Sequence, residues 1–243
     1  MGLSHIILLL CAALFPPYIL IEIVYKMDRV EHEPQPLLIR LFVCGVLCAL
    51  PVMVLELWGQ DVADKFQNNR LLYLFLSYFV IPGFIEEGMK YSVLRGLTWR
   101  NPAFNYKFDA VVYAVFASLG FAAIENVLYV FDYGIGTAVT RALMAIPAHA
   151  TFGVIMGAGY AHAKALDKAG HPQEAKARGT RAWFLAAVAH GAYDFLIMAY
   201  GGALFIVYFA ALIIAGVMIA KACARSDAPV DPFMTDGEEI DPQ

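Results

Sequence analysis

Glutamate, aspartate and histidine occur inside apolar stretches of this 243-residue chain, where charged side chains are costly. Glu86 and Glu87, with Lys90 beside them, fall in FIEEGMKY (84–91), and Glu125 falls in GFAAIENVLY (120–129). His149 lies in IPAHATFGVIMG (146–157), and His190 and Asp194 lie in AVAHGAYDF (187–195). A charge at bilayer depth costs at least ~2.5–3.5 kcal/mol on insertion scales, so four stretches that each carry this cost point to one shared polar site. Carboxylates and imidazoles bind metals and move protons. Two histidines with acidic oxygens suit zinc, which lowers the pKa of a bound water toward ~7 and leaves a spare glutamate as general base. Without a metal, a glutamate activates water directly while imidazoles stabilise the oxyanion. Both chemistries are hydrolysis.

Spacing sharpens the assignment. His190 and Asp194 stand at i, i+4 on one helical face, so they either share a metal or Asp194 holds His190 by a hydrogen bond. Glu86 and Glu87 point ~100° apart on a helix, so one can face the site while the other meets Lys90. Plainer readings exist: a Glu–Lys pair at the membrane edge, a His–Asp pair joining two helices, a buried core histidine. The first leaves one glutamate unpaired, and the last ignores the acids on neighbouring stretches. The candidate catalytic residues are therefore Glu86, Glu87, Glu125, His149, His190 and Asp194. The candidate zinc ligands are His149, His190, Glu125 and Asp194.

The elements that must position them are membrane helices. The chain is 60% hydrophobic and 16% charged, with a mean hydropathy of +0.63; soluble domains are typically ~45–50% apolar and ~25% charged. Apolar runs of about 20 residues suit an all-α, polytopic bundle in a lipid bilayer. Seven spans are expected, at Leu3–Tyr25, Leu37–Trp58, Leu71–Leu97, Phe108–Phe131, Ala142–Ala163, Ala182–Tyr200 and Ala203–Ala222. The first reads as a retained membrane helix kinked at Pro16-Pro17, not a cleaved signal. The membrane-embedded domain runs over 1–225, and the acidic, proline-containing tail 226–243 reads as disordered. A short interfacial helix is expected in the Ala- and Lys-rich connection 162–181.

Eleven lysines and arginines fall in the first, third and fifth connections, against Lys65, Arg70 and Arg141 in the others. This places the N-terminus outside and the C-terminus in the cytoplasm. Counting ~1.5 Å of rise per residue from the outer ends puts Glu125, His149 and Asp194 about 9–10 Å deep, His190 about 15 Å, and Glu86 and Glu87 about 20 Å. The net charge of −4, with no basic stripe, excludes a nucleic-acid partner. Cys11, Cys44, Cys48 and Cys223 sit in or at the ends of apolar runs and read as packing residues without a disulfide. No internal repeat suggests a secondary transporter.

These motifs resemble those of the PrsW intramembrane proteases. EEGMK (86–90) matches E-E-x-x-K, FAAIEN (121–126) matches F-x-x-x-E-N, His149 matches the isolated helix histidine, and HGAYD (190–194) matches H-x-x-x-D. The wider type II CAAX-protease superfamily carries related motifs. The resemblance implies a multi-pass protein of the bacterial cytoplasmic membrane that makes the site-1 cut in a single-span anti-sigma factor. Glu86 and Glu87 would be the catalytic carboxylates, and the other four residues would complete the site. The family is labelled metalloprotease, while its relatives have also been argued to be metal-free glutamate proteases. Two readings from other classes stand beside it: a non-catalytic scaffold or binding subunit, and a proton-coupled transporter whose buried acids form a relay.

Overall fold

An apolar segment in lipid must satisfy its backbone polar groups internally, which a helix does within one segment. The computed structural model of the chain describes residues 2–232, and among these it contains seven helical segments long and apolar enough to cross a bilayer. They are α1 (Leu3–Met27), α2 (Gln35–Ala63, extended by a 3-10 turn to Phe66) and a third segment built from α3 (Arg70–Phe75) and α4 (Ile81–Thr98). Then come α5 (Asp109–Tyr133), the pair α6 (Ile135–Leu143) and α7 (Ala145–Lys168), α8 (Pro172–Ala199) and α9 (Gly202–Arg225). All seven expected spans are present, and no strand occurs among the described residues.

α5 is the central post. Rich in alanine and small residues, it is buried at every position from Asp109 to Ala123 and packs against α1, α2, α4, α6 and α7. α7 in turn packs on α8 and α9. Leucine, isoleucine and valine on α1, α2 and α9 stay exposed, as on Leu8, Leu50 and Val207; those faces are fit for lipid.

Four local features differ from the expectation. The connection 162–181 is not a loop with its own short helix: α7 continues to Lys168, Gly170 turns the chain at φ +84°, and α8 begins at Pro172. Alanine favours helix, and proline is tolerated in a first turn, so both helices simply run on. The third expected span is not one regular helix: just before Pro82 it carries a π turn over Leu76–Val80 in which the Ile81 N–H bonds Leu76 O. Proline lacks an N–H for the ladder, and the preceding turn widens. The connection after α5 holds a helix of its own, α6, entered at Gly134 with φ +83°. Within the tail 226–243, residues 227–230 are ordered: Phe108 N–H donates to Asp227 Oδ1 at 2.8 Å, Val230 N–H to Asn105 O at 2.7 Å, and Val230 is buried. Residues 233–243 lie outside the described part. The α8–α9 reversal at Gly201-Gly202 is a tight turn, with φ +57° and +54°, values that only glycine adopts readily.

Candidate active site

Four helices deliver the site. α4 carries Glu86, Glu87 and Lys90; α5 carries Glu125; α7 carries His149; α8 carries His190 and Asp194. α4 and α8 come close enough for this because both are glycine where they cross. A Cβ on Gly83 would meet Ala187 O at 2.6 Å, and one on Gly191 would collide with Phe79 O. Gly191 directly follows His190, so the closest backbone approach lies where the two helices present their polar side chains.

Lys90 sits at the centre, 1% exposed. Its ammonium donates to Glu86 Oε2 at 3.0 Å, to Glu87 Oε1 at 2.8 Å and to His149 Nδ1 at 3.2 Å, and it lies 4.2 Å from the Phe121 ring centroid. An ammonium only donates, so His149 Nδ1 accepts, and its Nε2–H is free to donate to Glu125 Oε2 at 3.0 Å. His190 has a carboxylate at each ring nitrogen: Glu87 Oε1 is 3.0 Å from Nδ1 and Asp194 Oδ2 is 3.2 Å from Nε2. Two acceptors are satisfied together when both nitrogens carry a proton, so the geometry suits the imidazolium. The rings of His190 and Phe152 stack at 4.7 Å between centroids, which fixes the imidazole plane.

All six residues singled out from the sequence are thus joined in one network. Glu87 touches His190, so the glutamate pair and the histidine meet although the sequence count sets them about 5 Å apart in depth, a gap that two side chains span. Beside the network lies a cavity of about 890 Å³, lined among others by Glu56, Ser77, Glu86, Glu125, Arg141, His149, His190 and Asp194. Glu86 reaches this cavity and is 6% exposed; Glu87 does not line it and is 0% exposed.

Three further residues line the cavity. By sequence Arg141 is a charge in a connection, yet α6 folds it back so that Nη2 donates to Glu125 Oε2 at 2.8 Å and Nε to Asn126 Oδ1 at 2.9 Å. Nothing in the local sequence signals that return. Glu56 was legible by the same rule as the others, being an acid inside the run Leu37–Trp58. Ser77 lies in the π turn, buried, with an Oγ that has no hydrogen-bond partner.

The donor atoms that converge are those of Glu86, Glu87, His149 and His190, all within 4.8 Å of one another and all buried. Glu125 and Asp194 stand one step back, each on the Nε2 of a histidine. Two carboxylates and two imidazoles fit a borderline-soft divalent ion such as zinc, and Glu87 Oε2 is buried without a partner. The Lys90 ammonium holds three of the four donors, so an ion there would compete with it for the same lone pairs.

Comparison with known proteins identifies the family. Residues 33–220 match the family described as PrsW family intramembrane metalloprotease. A relative in Halalkalibacterium halodurans, named Protease PrsW, is 34% identical over 190 residues, covering 78% of this chain and 83% of the relative. Proteins of the same name in Oceanobacillus iheyensis and Bacillus subtilis are 33% and 32% identical, covering 78% and 79% of this chain and 82% and 83% of theirs. No solved structure matches. A seven-helix membrane bundle with its acids and histidines gathered in one buried network, matched over most of its length by these proteases, belongs to the PrsW family, and the chain is a membrane protease.

Proposed function

We propose that this protease hydrolyses a peptide bond in a single-span membrane protein of the anti-sigma-factor class, with Glu86 as the general base. The observation that carries the reading is the contrast within the glutamate pair: Glu86 faces the cavity, while Glu87 is sealed between Lys90 and His190. A water in the cavity gives its proton to Glu86 as its oxygen attacks the scissile carbonyl. The His190 imidazolium and the Arg141 guanidinium, both lining the cavity, offset the charge developing on the carbonyl oxygen. Glu86 then returns the proton to the departing amine. Glu87, Asp194 and Glu125 act through others: the first two orient His190, and the third holds His149 and Arg141.

Glu86, Glu87, His149 and His190 are the residues that would hold a zinc ion. Such an ion would supply Lewis acidity and a more acidic water. Glu125 and Asp194 would then orient the histidine ligands rather than bind the metal.

The basic connections after α1, α4 and α7 gather at one end of the bundle, with Glu31 bonded to Asn105 and Lys168 paired with Asp231. The cavity opens in the other half, among the C-terminal parts of α2 and α8, α6 and the π turn. With the basic end in the cytoplasm of a bacterial inner membrane, the site acts near the outer end of a substrate helix. The substrate must be extended there, because a helical backbone hides its carbonyls in internal hydrogen bonds.

The deciding experiment incubates the purified, reconstituted protein with a panel of single-span anti-sigma-like proteins, wild type against Glu86→Gln. Cleavage by wild type alone is expected. Cleavage by Glu86→Gln at an undiminished rate overturns the assignment, and elemental analysis of the active, chelator-treated protein decides whether zinc takes part.

A further inference from the structure

A second group of buried acids lies at the opposite end of the bundle, away from the cavity. Asp28 and Glu33 come from the connection between α1 and α2, and Asp109 opens α5; they are 1%, 3% and 1% exposed. One carboxylate oxygen from each lies within 4.8 Å of the other two. Some of these oxygens are satisfied locally. The Tyr113 hydroxyl donates to Glu33 Oε2, and the backbone N–H groups of Asn105 and Tyr106 donate to Asp109 Oδ2 at 3.0 and 2.7 Å.

The others are not. Asp28 Oδ1, Asp28 Oδ2 and Asp109 Oδ1 are buried with no hydrogen-bond partner. The lysine and arginine ion pairs among the described residues all lie elsewhere. Unpartnered oxygens of Asp28 and Asp109 converge with Glu33 where no lysine or arginine pairs with them, and an uncompensated buried anion is strongly disfavoured. An all-oxygen donor set, without imidazole or thiolate, selects hard ions over zinc.

We propose that Asp28, Glu33 and Asp109 form a binding site for a hard divalent cation, Ca²⁺ or Mg²⁺. The ion ties the α1–α2 connection to the first turn of α5, the helix that carries Glu125 into the active site. This site differs from the active-site cluster in its donors, its place in the bundle and its preferred metal.

The test uses the full chain in nanodiscs after chelator treatment, titrated with Tb³⁺ as a luminescent stand-in for Ca²⁺. Tyr113 touches a ligand and should sensitise the emission. Saturable binding at one ion per chain is expected, and competition with Ca²⁺ and with Mg²⁺ identifies the preferred ion. Asp28→Asn should weaken binding by about tenfold or more, because affinity follows the ligand charge count. Asp28→Asn combined with Asp109→Asn should abolish binding and also the rise in melting temperature that the ion produces in wild type. His149→Ala, which damages only the active-site donor set, should leave Tb³⁺ binding unchanged. The proposal is overturned by an absence of saturable binding, by binding that survives the double substitution, or by binding lost in His149→Ala instead. It also fails if wild type binds no ion and Asp28→Asn melts higher, since the acids would then be sharing protons. A double variant that melts cooperatively and still cleaves substrate shows that lost binding is not lost folding.

Discussion

Glu86 and Glu87 are neighbours in the chain with unlike surroundings, and their conservative substitutions should separate. Glu86→Gln keeps the size of a residue that lines the cavity and removes its basicity. We expect a melting temperature close to wild type and a cleavage rate lower by about 10²–10⁴-fold, the usual contribution of a general base. Glu87→Gln removes one of the two carboxylates that hold the buried Lys90 ammonium and the partner of His190 Nδ1. Breaking a buried charge pair from one side costs about 3–5 kcal/mol, so this variant should melt distinctly lower as well as lose activity. Thermal melts and cleavage assays on both proteins check the contrast, and the reverse pattern would exchange the two roles. Arg141 offers a further check. Arg141→Ala leaves Glu125 without its guanidinium and should slow cleavage more than Arg141→Lys, because lysine keeps the charge but not the two-nitrogen grip on Glu125 and Asn126.

At the scale of elements, the crossing of α4 and α8 sets the distance between the glutamate pair and His190. A methyl group at Gly83 would lie 2.6 Å from Ala187 O, with backbone on the other side and no flexible side chain to give way. Gly83→Ala should therefore push the helices apart, at about 1–3 kcal/mol for overpacking. A displacement of about 1 Å at the reacting groups can lower the rate ~100-fold. Melting temperature and cleavage rate should fall together, and a variant unchanged in both would show that the crossing does not position the site. α6 plays a comparable part on the opposite wall. It is short and lies between two long helices, and its task is to bring Arg141 back over Glu125.

For the molecule as a whole, the bundle has one end rich in basic connections and a cavity in the other half. With the basic end cytoplasmic, a C-terminal alkaline phosphatase fusion should be inactive, since that enzyme works only outside the cytoplasm. An active fusion would reverse the orientation. The same arrangement predicts where substrates are cut: near the extracytoplasmic end of the substrate's span, at a point where glycine, proline or small residues loosen the helix. Mass spectrometry of the products reads the position directly, and fragments ending near the cytoplasmic face would contradict it.

Hydropathy and the rarity of charge in apolar runs were enough to place seven helices and six polar residues, because lipid penalises both unpaired backbone and stray charge whatever the rest of the fold does. The grouping of Glu86, Glu125, His149 and His190 was legible for the same reason. Tertiary structure decided what local pattern does not encode. The division of labour between Glu86 and Glu87 depends on which side of α4 meets the cavity, and that follows from how α4 crosses α8. The insertion of Lys90 among three donor groups and the return of Arg141 on α6 arise from how whole helices pack. The meeting of Asp28, Glu33 and Asp109 joins residues more than 75 positions apart. Periodicity along one helix reports which residues share a face, but the partner of that face is chosen by close packing between helices, and packing is a property of the assembled bundle.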